Sequence, residues 1–202
     1  KDQRSSKSRE MVIELLVTDQ PKKEICHDPD SHFWQMADKV NVKKSRFDKR
    51  NPETIPEADN SHVAMSVNLD ACINCNLCVR ACREVQVNDV IGMGNRGHTS
   101  QVIFDFNDPM GDSTCVSCGE CVQACPTGAL MESNLLDEKG KKVVKPDRKV
   151  DSLCPYCGVG CQLTYNIKGE KIVSVDGRDG PANNNRLCVK GRFGFDYIHN
   201  PE

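Results

Sequence analysis

The chain has 202 residues, of which 38% are apolar and 5% aromatic, and its formal net charge is −2. This composition argues against a single large hydrophobic core, and the near-neutral charge gives no indication of nucleic-acid or membrane binding. No run of about 18 apolar residues is present, so no transmembrane helix is predicted. The 13 cysteines dominate the interpretation, because small domains poor in apolar surface usually need covalent or metal staples.

The N-terminal part reads as helical and irregular. A short helix is predicted over residues 8–18, with Ser8 as its N-cap, and a second over residues 32–40. The polar, proline-containing stretch 43–61 is predicted to be a surface linker. The chain starts with neither an initiator methionine nor an apolar signal core, so we expect it to be part of a longer polypeptide.

Two runs of cysteine with the same spacing, C-x2-C-x2-C-x3-C, mark an internal duplication from about residue 66 to 131. The runs are Cys72, Cys75, Cys78 and Cys82, then Cys115, Cys118, Cys121 and Cys125. Each is predicted to be a loop that runs into a helix, at about 76–83 and 119–125. Strands over residues 87–91 and 101–106 are predicted to pair across a glycine-rich turn.

This spacing is that of bacterial two-cluster ferredoxins, in which the fourth cysteine of each run binds the other [4Fe–4S] cluster. The resemblance implies one site of Cys72, Cys75, Cys78 and Cys125 and another of Cys115, Cys118, Cys121 and Cys82. Pro126 fits the full pattern, whereas Arg83 departs from it without removing a ligand. Zinc and disulfide bonds are the competing interpretations, and the repeated tight spacing favours clusters over both. We expect the fold to collapse if iron is removed.

Two other patterns are weaker signals. Residues 92–97 fit G-x-G-x-x-G, but no βαβ unit surrounds them, so they predict a tight glycine turn rather than a dinucleotide site. Basic residues within 139–149 have acidic neighbours and no aromatic ones, which predicts a solvated connector rather than a nucleic-acid patch. Residues 162–167 and 171–175 are predicted to form a β-hairpin, and 186–197 a turn and a loop that opens a helix.

A third group of cysteines has a different spacing, C-x2-C-x3-C, with a distant fourth member: Cys154, Cys157, Cys161 and Cys188. The surrounding sequences are LCPYCGVGC and LCVKGRF. They closely resemble the N-terminal [4Fe–4S] domain of molybdenum- or tungsten-bis(pterin guanine dinucleotide) oxidoreductases. The resemblance implies a third [4Fe–4S] cluster on these four cysteines. It also implies an adjacent Mo- or W-bis(pterin guanine dinucleotide), bound mainly by residues downstream of this chain.

Residues 66–202 as a whole resemble the N-terminal part of the large subunit of a cytoplasmic, NAD-linked formate dehydrogenase. In that family the lysine after the fourth cysteine lies between the cluster and the nearer pterin, and Lys190 matches it. The alternative for Lys190 is an ordinary solvated surface lysine. No residue of this chain matches a catalytic residue of the family.

The implied fold class is α+β, built from small iron–sulfur domains. The predicted segments are a helical and irregular region with a linker (1–65), a two-cluster ferredoxin-like domain (66–135), a connector (136–149) and the [4Fe–4S] domain of molybdopterin oxidoreductases, truncated at the start of the large catalytic region (150–202).

The N-terminal region resembles the part of such subunits in which a helix leads into a histidine and three cysteines that bind another [4Fe–4S] cluster. Here Gln20 stands where that histidine would fall, and only Cys26 remains among the cysteines, with His27 and His32 nearby. We therefore predict a degenerate site retained as a structural patch. The alternatives are a mononuclear metal site and a ligand supplied by a partner.

The resemblance implies a function in electron transfer. Electrons from the oxidation of formate to CO2, or in reverse, would pass through the three clusters towards a flavin- and NAD-binding iron–sulfur subunit. The other implied partner is the remainder of the large subunit; no nucleic acid or membrane is implied. The alternatives are a non-enzymatic electron carrier and another molybdopterin-group enzyme, such as a nitrate reductase, or the related large subunit of complex I. The tandem ferredoxin runs favour formate dehydrogenase over the last two.

Overall fold

The computed structural model of the chain describes residues 2–49 and 51–199. The α-helices are α1 (Gln3–Thr18), α2 (His32–Lys39), α3 (Leu77–Arg80), α4 (Glu120–Ala124) and α5 (Val189–Phe193). The strands are β1 (Met65–Val67), β2 (Ile91–Gly94), β3 (Gln101–Phe104), β4 (Leu130–Glu132), β5 (Arg148–Leu153), β6 (Gln162–Lys168) and β7 (Lys171–Gly177). This mixture of short helices and small sheets confirms the predicted α+β class.

The two N-terminal helices enclose a small core of their own. It contains Val17, Cys26, Phe33, Trp34 and Ala37. Helix α2 has the predicted extent, and the Ser31 hydroxyl caps it by accepting a hydrogen bond from the Trp34 N–H at 3.5 Å. Helix α1 ends where predicted but begins five residues earlier than residue 8, because the Asp2 carboxylate caps it. The prediction that Ser8 is the N-cap was therefore wrong.

The duplicated region forms two separate two-stranded antiparallel sheets, one of β1 with β4 and one of β2 with β3. The pairing of the last two was predicted, but β2 starts only at Ile91. Val87 and Asp89 have φ values of 58° and 54°, which an extended strand does not tolerate. The prediction of a tight glycine turn over 92–97 was also wrong in part, because Gly92 and Gly94 lie within β2.

The C-terminal region is a three-stranded antiparallel sheet in the order β5-β6-β7. The hairpin of β6 and β7 confirms the prediction and turns at Gly169, whose φ is +58°. Strand β5 was missed, because its residues are mostly exposed and charged and lie on the sheet edge. Helix α5 confirms the predicted helix opening near the C-terminal end. The core of this region contains Cys154, Leu163, Val175, Leu187 and Phe195.

The predicted surface linker (43–61) and the predicted solvated connector (136–149) both make hydrogen bonds to the rest of the molecule. In the linker, the backbone of Asp59 pairs with Val67 through two hydrogen bonds of 2.9 Å. In the connector, the Lys142 N–H donates to the His27 carbonyl at 2.8 Å, and its ammonium lies 3.0 Å from Asp28. No helix in the described ranges is long and apolar enough to cross a membrane.

Candidate metal centres

The two cysteine runs of the duplicated region have the same backbone conformation. Asn74 and Asn76 have φ values of 51° and 61°, and the equivalent Ser117 and Gly119 have φ values of 56° and 73°. Left-handed residues at these places turn the chain sharply twice within each loop. The duplication that the spacing predicts therefore extends to the loop conformation.

Backbone N–H groups donate hydrogen bonds to cysteine sulfurs at equivalent positions of the two runs. The Asn74 N–H donates to Cys72 Sγ at 3.4 Å, and the Ser117 N–H donates to Cys115 Sγ at 3.4 Å. A third such bond, also 3.4 Å long, joins the Val90 N–H to Cys82 Sγ. Donors of this kind stabilise negative charge on sulfur, which suits thiolate ligands of an iron–sulfur cluster.

The structure places the fourth cysteine of each run beside the other run. Burial, followed by the charges of Cys125, Cys72 and Cys75, raises the pKa of the Cys78 thiol to about 12. Cys125, from the second run, also lines one small cavity together with Cys72, Cys75 and Cys78. A site in which buried thiolates converge needs compensating positive charge, which iron ions would supply.

The second group shows the reciprocal arrangement. Burial raises the pKa of the Cys121 thiol well above its ordinary value, with contributions from Cys118 and Cys115 and, from the first run, Cys78 and Cys82. Burial likewise raises the pKa of Cys118, and the charges of Cys115, Glu120 and Cys82 act on it in the same direction. The donor set, its burial and the N–H···S bonds all fit a thiolate-ligated cluster.

The third group lies at the start of the C-terminal sheet. Burial raises the pKa of the Cys161 thiol, followed by the charges of Cys154, Cys157 and Cys188. All four are free thiols, and Cys188 is brought to the others as the residue that precedes helix α5. Lys190, in the first turn of that helix, has an exposed side chain. This group, too, has the donor chemistry of a thiolate-ligated cluster.

The second and third groups are joined by side chains to which the sequence analysis assigned no role. The Arg192 side chain is almost completely buried, with Nε donating to the Cys118 carbonyl at 3.0 Å. Its Nη2 donates to Glu120 Oε1 at 2.6 Å and to Gln123 Oε1 at 2.9 Å. The sequence offered only two signals of this ion pair: an acidic residue between two cysteines of the second run, and the arginine of the LCVKGRF sequence.

The His27 ring joins three segments of the chain instead of facing Cys26 as a second ligand. Its Nδ1 lies 2.8 Å from the Gly140 carbonyl, and its Nε2 lies 2.8 Å from Asp70 Oδ1. The Cys26 thiol is buried and donates to the Lys23 carbonyl at 3.2 Å. In residues 2–49 and 51–199, no three His, Cys, Asp or Glu side chains lie close enough to bind one shared metal ion, whereas each thiolate of a [4Fe–4S] cluster binds a separate iron.

A cleft of about 340 Å³ lies where the N-terminal segment, the duplicated region and the C-terminal sheet meet. Glu132, Asn166 and Asp176 are among its lining residues, with His32 at the side of the N-terminal segment. Burial raises the pKa of the Glu132 carboxyl from its usual 4.5 to about 7. The cleft therefore contains a carboxyl group that is partly protonated at neutral pH.

Comparison with known proteins identifies two domain families along the chain. Residues 71–129 match the 4Fe-4S dicluster domain, and residues 147–200 match the molybdopterin oxidoreductase Fe4S4 domain. These matches confirm the resemblance and the fold inferred from the cysteine spacing. The two domain families follow each other in the predicted order.

Curated relatives are much longer than this chain. One relative, YjgC of Bacillus subtilis (strain 168), is provisionally named an oxidoreductase. It is 31% identical over 76% of this chain and 20% of its own length. A protein of Staphylococcus haemolyticus provisionally named a formate dehydrogenase is 32% identical over 66% of this chain and 17% of its own length. The chain thus spans about a fifth of the length of these relatives.

Among solved structures, an NAD+-reducing [NiFe]-hydrogenase in the H2-reduced state is similar in fold. The TM-score is 0.59 and the sequence identity 24%, over 66% of this chain and 57% of that one. This likeness concerns the fold alone.

Proposed function

We propose that this chain, which carries a dicluster domain followed by the Fe4S4 domain of a molybdopterin oxidoreductase, transfers electrons through three [4Fe–4S] clusters. Bound clusters would supply one-electron acceptance and donation. The observation that supports the proposal is the position of Cys125, which lines one small cavity with Cys72, Cys75 and Cys78, as an exchange of fourth cysteines between the runs requires. Such an exchange ties the two halves into one unit that holds two clusters close together.

The ligands that we propose are the twelve cysteines of the three groups. The first site is Cys72, Cys75, Cys78 and Cys125; the second is Cys115, Cys118, Cys121 and Cys82; the third is Cys154, Cys157, Cys161 and Cys188. Lys190 is proposed to lie between the third site and a pterin. Its cation would favour electron arrival at that site by stabilising added negative charge.

The substrate that we propose is formate, oxidised reversibly to CO2 at a Mo- or W-bis(pterin guanine dinucleotide) held by the remainder of a large subunit. A flavin- and NAD-binding iron–sulfur subunit in the cytoplasm is the proposed electron acceptor. Support comes from the provisional formate dehydrogenase name of the staphylococcal relative and from the molybdopterin oxidoreductase domain match. The catalytic metal centre itself does not lie on this stretch.

The experiment that tests the substrate uses the complex purified natively and without oxygen. Formate alone is expected to bleach the visible absorption of the clusters and to produce their EPR signals. Dithionite provides the matched reference for full reduction. Reduction by dithionite but not by formate, in material shown to contain Mo or W, would contradict the substrate and leave an electron-transfer module.

A further inference from the structure

Arg192 is a charged side chain of the Fe4S4 domain that is buried against the dicluster domain. Only 1% of it is exposed. Burying a guanidinium is costly unless hydrogen bonds and a counter-charge compensate its desolvation. Here Nε, Nη1 and Nη2 all donate, and the acceptors are the carbonyls of Cys118 and Val175 and the side chains of Glu120 and Gln123.

The dicluster domain is shaped to admit this side chain. A Cβ atom on Gly119 would lie 2.1 Å from Arg192 Cδ, so only glycine leaves room at that place in the cysteine loop. The Glu120 side chain is itself only 5% exposed, and its Oε1 also accepts a hydrogen bond from the Leu187 N–H at 3.1 Å. Leu187 directly precedes Cys188, so one carboxylate holds both Arg192 and the loop that presents a third-site cysteine.

We propose that Glu120 and Arg192 form an ion pair that positions the second and third cluster sites relative to each other and sets the reduction potential of the second cluster. This inference rests on the proposed function, because it requires a cluster on Cys115, Cys118, Cys121 and Cys82. Both residues are positioning residues, since they act through the Cys118 carbonyl and the Leu187 N–H.

The two charges act on the second site with opposite sign. Added electron density on a cluster is favoured by a nearby buried cation and disfavoured by a nearby buried anion. Arg192 Nε donates to the carbonyl of Cys118 at 3.0 Å, and Glu120, two residues further along the chain, accepts from Arg192 Nη2 at 2.6 Å.

The test is an EPR-monitored redox titration of the anaerobic complex with a chemical reductant, which does not depend on formate. Glu120→Gln keeps an oxygen that can accept both hydrogen bonds but removes the negative charge, so we expect the midpoint potential of one cluster to rise. Arg192→Met removes the cation, so we expect the same potential to fall. The double variant removes both charges and is expected to return close to the wild-type value. Opposite shifts that cancel are not expected from a merely structural role.

Glu84→Gln is the matched control. Glu84 lies two residues after Cys82, as Glu120 lies two residues after Cys118, but its side chain is 54% exposed and pairs with Arg80. Water screens that charge, so we expect no comparable shift. A Glu120→Gln shift no larger than the Glu84→Gln shift, or single variants that shift the potential in the same direction, would overturn the inference. Arg192→Lys keeps the cation and provides a milder variant if Arg192→Met does not fold.

The wild-type spectrum separates this inference from the proposed function. If the wild-type complex lacks the EPR signals of three clusters, the proposed function fails and the inference fails with it. If all three are present and the Glu120 and Arg192 variants leave every potential unchanged, only the inference is overturned.

Discussion

His27 Nε2 lies 2.8 Å from Asp70 Oδ1, and this contact fastens the N-terminal segment to the dicluster domain. The other ring nitrogen faces the Gly140 carbonyl at 2.8 Å. Both partners are acceptors, so the protonated ring, in which both nitrogens donate, satisfies both contacts. Burial lowers the pKa of His27, but the hydrogen bond and charge of Asp70 outweigh it and the net pKa is raised.

The first prediction concerns the pH dependence of the contact between His27 and Asp70. A histidine with a raised folded pKa stabilises the fold fully below its ordinary pKa of about 6.5, and this contribution is lost as pH rises through the folded pKa. We expect His27→Ala to cost about 2 kcal/mol at pH 6, the scale of a hydrogen bond to a charged group, and much less at pH 9. Hydrogen exchange of residues 20–40 at the two pH values measures this difference. Equal protection in the variant and the wild type at pH 6 would contradict it, and His32→Ala is the control.

The second prediction concerns Glu132 in the cleft between the domains. The pKa of Glu132 is about 7 in the folded protein and 4.5 in the unfolded chain. As pH rises, Glu132 therefore loses its proton in the unfolded chain first, and the free energy of unfolding falls between these two pH values. Glu132→Gln removes this penalty. We expect the variant to be more stable by about 3 kcal/mol at pH 8 and nearly equal to the wild type near pH 4.

Thermal unfolding under anaerobic conditions measures the Glu132 effect at the two pH values. The matched control is Glu138→Gln, which neutralises an exposed carboxylate of the connector. A Glu132→Gln variant that is less stable than the wild type at pH 8 would show that its carboxylate has a favourable ionic partner.

What could be predicted from the sequence was local. Cysteine spacing predicted three candidate ligand groups, because a chain that wraps a cluster needs its ligands at fixed short intervals. The hairpin of β6 and β7 was visible from its alternating residues and the turn at Gly169. Domain boundaries and ligand assignments stay predictions.

What could not be predicted depends on contacts between distant segments. Arg192 and Glu120 are 72 positions apart, and neither carries a local sign that it will be buried. His27 and Asp70 are 43 positions apart, and His27 was considered only as a candidate metal ligand. Strand β5 exists because β6 offers it backbone hydrogen bonds, not because its own residues alternate between apolar and polar.

The third prediction tests the space at Gly119. Gly119→Ala places a methyl group on Arg192 in a residue whose φ is +73°. Gly97→Ala is the matched control, because its φ is +63° and no atom lies within 4 Å of an added Cβ. The control should lose about 1 kcal/mol for backbone strain alone. Gly119→Ala should lose several times more, with a fall in thermal stability and in bound iron. Equal losses in the two variants would show that Arg192 moves aside freely.

The last prediction tests the exchange of fourth cysteines. Cys125 lines one cavity with the first three cysteines of the first run, and burial together with the Cys82 charge raises the pKa of Cys115 and Cys118. If ligands follow these contacts, Cys125→Ala perturbs the same EPR signal as Cys72→Ala, although Cys125 belongs to the other run. Cys82→Ala then perturbs the same signal as Cys115→Ala. Cys26→Ala, at a buried thiol outside all three groups, should retain the full iron content. If Cys125→Ala instead perturbs the signal that Cys115→Ala perturbs, each run binds its own cluster and the proposed ligand sets are wrong.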